Sequence, residues 1–348
     1  MKLATLLGAA SLSVLALAPI AQAQDAELTV LDYPGFELPE FHQAYVDAHG
    51  ASPTFSFFGD EEEAFQKVRA GFESDITSIC AGSVPKWQES GIIEPWDTSR
   101  IAGYASLDAN LLGEQAEGEE VFFIPTYFGT TAIAYNPDEV PEEDVSTLNV
   151  FRDPKYQGRV SIPDNVDDAW ALAYLATGVT SWDEVDEAAT EAAAQWLREV
   201  HPNLRTYWVD PAELAQLMAT GEVVIAWAWN ETYPTMREEG RPIAFQRAPQ
   251  EGTSVWLCGA VNMADAPGSE DKLYDYLNAF LSAESVPALV ANGFGSANAV
   301  ALNDQMTPED LEQAGLGQVD TPLFAQTPIP IAMREQHAEL FEQIKAGF

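Results

Sequence analysis

In the stretch "VIAWAWNETY" (residues 224–233), two tryptophans alternate with alanines and the run then breaks at Asn230-Glu231. Four other strand-like runs carry polar and aromatic residues of the same kind. Tyr33 to Phe36 follow "AELTVLD", Cys80 to Ser83 follow "SDITSI", Asp164 to Trp170 follow "RVSI", and Trp256 and Cys258 lie in "TSVWLCG". An aromatic face beside a carboxylate attracts an ammonium or alkylammonium group, through the ring quadrupole and through ion pairing. In open α/β sheets, ligands sit outside the carboxyl ends of strands, which is where these stretches fall. A packing reading competes with this one. Trp227 and Trp229 share strand parity, point to one face, and could both fill a core. Trp87, Trp96, Trp182 and Trp196 read as packing on helix faces or on the lobe surface. Trp170 and Trp208 are further cleft candidates, as is Tyr127 in the long run "EVFFIPTYFGTTAIAYN".

Catalytic patterns are missing. The chain has no G-x-S-x-G elbow, no H-E-x-x-H and no P-loop. The four histidines, His42, His49, His201 and His337, are scattered and read as surface residues of helices or their termini. Cys80 and Cys258 have no basic partner nearby in sequence, and no histidine for a thiolate metal site. No adjacent tyrosine pair offers itself to ferric iron. A binding protein without cofactor, metal or catalytic function is expected; the rival, an exported α/β hydrolase, lacks its nucleophile elbow. Arg205, in "NLRTYWVD", has two readings. Its fork suits the carboxylate of a zwitterion such as an amino acid, 4-aminobutyrate or a betaine. Otherwise it is a surface arginine paired with one of many acids.

These residues must be held by an α/β scaffold. Strand-like and helix-like segments alternate along the chain, which implies mainly parallel sheets flanked by helices. "PAELAQLMATG" opens on Pro and closes on Gly, as a helix does. "SEDKLYDYLNAFLSAESVPALVANG" reads as one long amphipathic helical region. The N-terminus, with Lys2, an apolar run from Leu3 to about Leu17 and Ala21-Gln22-Ala23, reads as a secretory signal cleaved after Ala23. The remaining chain exceeds the ~250–300 residues that one core supports, so two lobes are expected. Acidic residues number 55 against 16 basic ones, for a formal net charge of −39. Such a balance excludes general affinity for nucleic acid. It suits a hydrated surface in saline surroundings, and only local carboxylates argue for a cationic ligand. Export permits a disulfide, which spacing alone does not assign.

Over nearly its whole mature length the chain resembles the periplasmic binding proteins of ABC importers, specifically the spermidine/putrescine type. The resemblance rests on the order of "TVLDYPGFELPEFHQAYVDAHG", "SDITSICAGSVPKWQESGIIEPWD", "FFIPTYFGTTAIAYN", "FRDPKYQGRVSIPD", "MATGEVVIAWAWNE" and "GTSVWLCGAV". It implies a monomer with two α/β lobes that close on a small cationic amine and deliver it to a membrane permease with ATPase subunits. It places residues 24–130 and 253–305 in the first lobe, residues 131–252 and 306–348 in the second. Hinge strands then lie near Thr130–Ala134 and Gln250–Thr253. It implies ligand contacts from Tyr33, Phe36, Asp168, Trp229, Trp256 and Phe294; Ser83 and Tyr127 are candidates beside them. Asn165 stands where the family has a second carboxylate. Cys258 stands where the family has the aspartate for a terminal amine, and a Cys80–Cys258 disulfide near the cleft would account for that exchange. The implied location is the Gram-negative periplasm.

Overall fold

The computed structural model describes residues 24–108 and 120–348; the expected export signal, residues 1–23, lies outside them. The first half opens with β1 (Gln24–Asp32), α1 (Gln43–His49), β2 (Ser52–Phe57), α2 (Glu61–Arg69), β3 (Ile76–Cys80), α3 (Val84–Glu89) and β4 (Ile93–Glu94). β1 pairs in parallel with both β2 and β3. Asp60 starts α2 by accepting from the Glu63 N–H, as a short acidic side chain does at an N-cap. The long strand β5 (Phe123–Tyr135) then leads into the second half.

There follow β6 (Val160–Pro163), α4 (Val166–Thr177), α5 (Glu187–Val200), β7 (Leu204–Trp208), α6 (Pro211–Ala219), β8 (Ile225–Trp229), α7 (Thr232–Glu238) and β9 (Ala244–Gln246). β8, β6 and β7 run parallel. Residues Asp167–Leu175 of α4 are all buried, because its sequence is apolar nearly all round and other elements cover it. The chain returns along β10 (Thr253–Met263) and ends with α8 (Glu270–Phe280), α9 (Val286–Ala291), β11 (Gly295–Ser296), α10 (Ala299–Gln305), α11 (Pro308–Gln313), β12 (Leu323–Ala325) and α12 (Ile331–Lys345).

Twelve strands among the described residues form one mixed sheet, with the path β2-β1-β3-β10-β5-β8-β6-β7. β5 and β10 are antiparallel from Phe123↔Val261 to Thr131↔Ser254. One end of this pair joins β3 through Cys258–Asn262, and the other joins β8 through Thr131–Tyr135. Two parallel blocks are thus linked by two long strands that each serve both. β10 is buried at every residue, as a central strand covered on both faces must be. The apolar residues sort accordingly. One cluster joins Ala132, Trp170, Trp227 and Phe341; another joins Leu28, Phe41, Tyr127, Trp256 and Phe280.

Two sequence readings need correction. The helical region expected over residues 269–293 is two helices, α8 and α9. Between them Ser285 Oγ donates to the Phe280 carbonyl at 2.6 Å, and Pro287 sits at the start of α9, where it lacks no needed N–H. Nor are all four histidines at the surface. His42 and His337 are fully buried. His337 stacks on Trp170 at 4.2 Å and bonds Tyr174 Oη at 2.7 Å. Burial pushes both imidazoles down to about 4, so they are neutral packing residues.

Candidate ligand-binding cleft

The carboxyl ends of β6 and β8 bring the first group together. Asn165 caps α4 by accepting from the Asp168 N–H at 3.0 Å. This holds the Asp168 side chain over the end of the sheet, 2 % exposed. Its carboxylate accepts from Thr131 Oγ1 at 2.7 Å and from Trp229 Nε1 at 2.8 Å. Desolvation outweighs both bonds and pushes the carboxyl up to about 6. Trp229 also meets Trp208 edge-on, with ring centroids 4.7 Å apart. It is partly buried and packs against apolar clusters of both halves.

Trp227, two residues earlier, is 0 % exposed and lies in the core beside Phe151. Trp208 and Trp170 are also fully buried. Trp208 Nε1 donates to the Trp227 carbonyl, and Trp170 Nε1 donates to the His337 carbonyl, each at 3.0 Å. Asn230 clamps the crossing. Its Oδ1 accepts from the Thr130 N–H at 2.9 Å, and its Nδ2 donates to the carbonyls of Gly293 and Ala314.

The first half supplies rings. Phe36, Tyr127, Trp256 and Phe294 form one cluster, with centroids from 4.6 Å (Phe36–Tyr127) to 6.1 Å (Trp256–Phe294). Gly129 permits it, because a Cβ at that point of β5 would collide with the Trp256 indole. Tyr33 packs on Phe58 at 4.4 Å, and its hydroxyl donates to Glu61 at 3.3 Å. Cys80 and Cys258 face each other across β3 and β10 and are joined in a disulfide. The Cys80 N–H donates to Glu61 at 2.7 Å. Ser83 is buried and turns its hydroxyl to the same carboxylate.

Four acids outside the sequence expectation join this region. Burial pushes Asp32 up to about 8, Glu61 to about 7 and Glu231 to about 7. Burial first, then the carboxylates of Asp32, Glu61 and Glu231, hold the Tyr127 hydroxyl well above its ordinary value. The fourth acid, Asp167, is paired with Arg334 Nε at 3.2 Å. Among the described residues, Asp32, Glu61, Asp168 and Glu231 have no ion-pair partner. Strand-end position was a usable signal for Asp32 and Glu231. Glu61 gave none, since an acid in a helix's first turn is also explained by the dipole.

Two cavities flank the rings. A small one of about 20 Å³ lies beside Asp32, Ser78, Tyr127 and Tyr276, with room for one water-sized molecule. An open groove of about 310 Å³ runs between the halves. Pro34, Phe36, Phe41 and Phe294 line it on one side, Pro211, Glu231 and Thr235 on the other.

Arg205 is elsewhere. It stands at the start of β7, the end of the parallel block opposite Asp168 and Trp229. Its side chain is 50 % exposed and pairs with Glu222 at 2.6 Å. It is the surface arginine of the two readings, because a strand's first residues face away from its carboxyl end.

Comparison with known proteins agrees with this architecture. The spermidine/putrescine-binding periplasmic protein of Escherichia coli K12 is 25% identical over 321 residues, covering 89% of this chain and 88% of its own. A gamma-aminobutyric acid-binding protein of Pseudomonas aeruginosa is 24% identical over 245 residues, 67% of each chain. The crystal structure of a spermidine/putrescine ABC transporter substrate-binding protein from Streptococcus pneumoniae superposes with a TM-score of 0.77 at 20% identity, covering 93% of this chain and 99% of that one. The fold is that of the two-lobe binding proteins. The sequence model for bacterial extracellular solute-binding proteins matches residues 41–314, and the chain belongs to that family.

Proposed function

We propose that the protein is the periplasmic solute-binding component of an ABC importer and that it captures a small organic amine, of the putrescine or spermidine kind, between its two halves. The observation that carries this is the state of Asp168. A carboxylate 2 % exposed, bonded to an indole and a hydroxyl, is left without a cation beside an aromatic cluster. A bound ammonium supplies the missing charge and donors, while its methylenes pack on the rings. Asp32, Glu61 and Glu231 add negative potential around Tyr127 when they are ionised. The relatives named for polyamines point to the same ligand class. Tyr33, Phe36, Tyr127, Asp168, Trp229, Trp256 and Phe294 are the proposed contacts.

The proposed lobes are residues 24–130 with 253–305 and residues 131–252 with 306–348. The separation of the apolar clusters supports them. The proposed hinge is the passage of β5 and β10 past each other near Thr130–Ala134 and Gln250–Thr253. There Gly252 has φ +110, and a Cβ would run into the Pro322 carbonyl. An exported monomer, freed of residues 1–23, would hand its ligand to a membrane permease driven by ATPase subunits.

Thermal melting with putrescine, spermidine, 4-aminobutyrate and glycine betaine tests the reading. A ligand present at about 100 times its Kd stabilises by about 2.7 kcal/mol. A shift with putrescine or spermidine is expected. A shift with 4-aminobutyrate alone would move the ligand to a zwitterion. No shift with any amine overturns the proposal.

A further inference from the structure

We propose that the small cavity beside Tyr127 is a binding site for one monovalent cation of sodium's size, held by the Asp32 carboxylate and the hydroxyls of Ser78, Tyr127 and Tyr276. The site is independent of the ligand proposed for the cleft, although Tyr127 borders both.

The sheet builds one side of the cavity. β1 and β3 run in parallel register, Val30 against Ile76 and Leu31 against Thr77, which brings Asp32 beside Ser78 on one face. β10 sets the small Ala260 against Ser78. In β5 the register slips: Tyr127 faces Cys258, Pro125 faces Gly259, and Thr126 between them has no partner. A bulge of this kind re-aims side chains, and here both Thr126 and Tyr127 line the cavity. α8 covers the other side with Tyr276.

The lining is chemically suited to a cation. Asp32 and Tyr276 are each 4 % exposed. The Tyr276 hydroxyl has no hydrogen-bond partner among the described residues. The Asp32 carboxylate accepts the Tyr33 N–H at 2.8 Å and has the Ser78 hydroxyl beside it, but it has no ion pair among the described residues. Ser78 Oγ and Tyr127 Oη are 3.5 Å apart, a loose contact for two hydroxyls. The space, about 20 Å³, admits one particle the size of water. Water brings donors but no charge. A sodium ion brings the charge that a buried carboxylate lacks, and hard cations take oxygen ligands. One carboxylate balances one positive charge. No group of three His, Cys, Asp or Glu lies together among the described residues, so the donor set does not fit a transition metal. Burial, with a smaller push from the exposed Glu37, raises the Asp32 carboxyl to about 8, so the ion competes with a proton there. His42, 5.3 Å from the Tyr276 ring, is buried and neutral and adds no charge.

The test melts the ligand-free mature chain in borate at pH 9, in NaCl or CsCl at matched ionic strength, and titrates sodium into a caesium background. Caesium screens the surface charge equally but is too large for the cavity. Sodium should raise the melting temperature by at least about 3 °C. The gain should shrink at pH 6, where a proton holds the Asp32 carboxyl. D32N should abolish it. Y276F, which keeps the charge and removes one oxygen, should raise the sodium midpoint about tenfold. Should D32N fail to fold, Y276F decides alone. Equal melting in the two salts overturns the site and leaves a water or a proton beside Asp32. A sodium gain that survives D32N, or a midpoint unchanged in Y276F, overturns it as well.

Discussion

The two ends of the parallel block β6–β8 carry charge in opposite ways. At the amino ends, Arg159 pairs with Glu139 at 2.7 Å and Arg205 with Glu222 at 2.6 Å, with each side chain about half exposed. Water solvates these pairs, and such pairs contribute ~0–1 kcal/mol. At the carboxyl ends, Asp168 lies under an indole without a cation, and its carboxyl rises to about 6. Both ends belong to a chain with a net charge of −39. Abundance of acids therefore does not mark a cation site. What marks it is the loss of water without a counter-charge, and the direction of the strands decides where that happens.

The tryptophan pair offers the strongest way to break this contrast. Trp227→Ala should cost about 3–5 kcal/mol of stability, as large-to-small changes in a core do. It should appear as a large fall in melting temperature with little change in the Kd of the folded protein. Trp229→Ala should do the reverse, raising Kd about 100-fold with a smaller effect on apo melting. If the two variants lose stability equally and Trp229→Ala spares binding, Trp229 returns to the core.

pH sharpens the contrast next. Asp32, Glu61, Asp168 and Glu231 have folded values raised to about 8, 7, 6 and 7. Raised values mean that the folded apo protein holds more protons than the unfolded chain between about pH 4 and pH 8. Apo stability should therefore be greatest on the acid side and decline as pH rises through that window. Affinity for an ammonium should move the other way. A group with a pKa of about 6 is about one-tenth ionised at pH 5 and nearly fully ionised at pH 8, so Asp168 alone predicts about a tenfold gain. Parallel melting and titration series would show the two trends crossing; trends in the same direction would remove Asp168 from the site. The smallest effect is expected at the other end of the block. Arg205→Ala should leave Kd within twofold and stability within about 0.5 kcal/mol. A tenfold loss of binding would place the ligand at the amino ends after all.

Local patterns in the sequence reach far into this fold. The run "TSVWLCGAVNM" is β10 residue for residue, and Pro211 opens α6. The two- and three-residue strands β11 and β12 and the helix α10 escape such patterns, since they are short and depend on distant partners. The burial of His337 depends on Trp170 and Tyr174, 163 or more positions away. Within the site, strand-end position and family resemblance pointed to Phe36, Tyr127, Trp256 and Phe294, which the fold does bring together. Arg205, whose two readings the sequence left open, stands near the start of β7 and pairs with Glu222. Ser83, named for the ligand, turns its hydroxyl to Glu61.

The sequence by itself determined the alternating elements, the aromatic stretches at strand ends and the surplus of acids, because each depends on residues close together in the chain. The tertiary structure alone decided which acids lost their water, since desolvation depends on what the opposite half lays over them. Asp168 looks like any acid in the first turn of a helix until Thr131 and Trp229 bond it and the fold buries it.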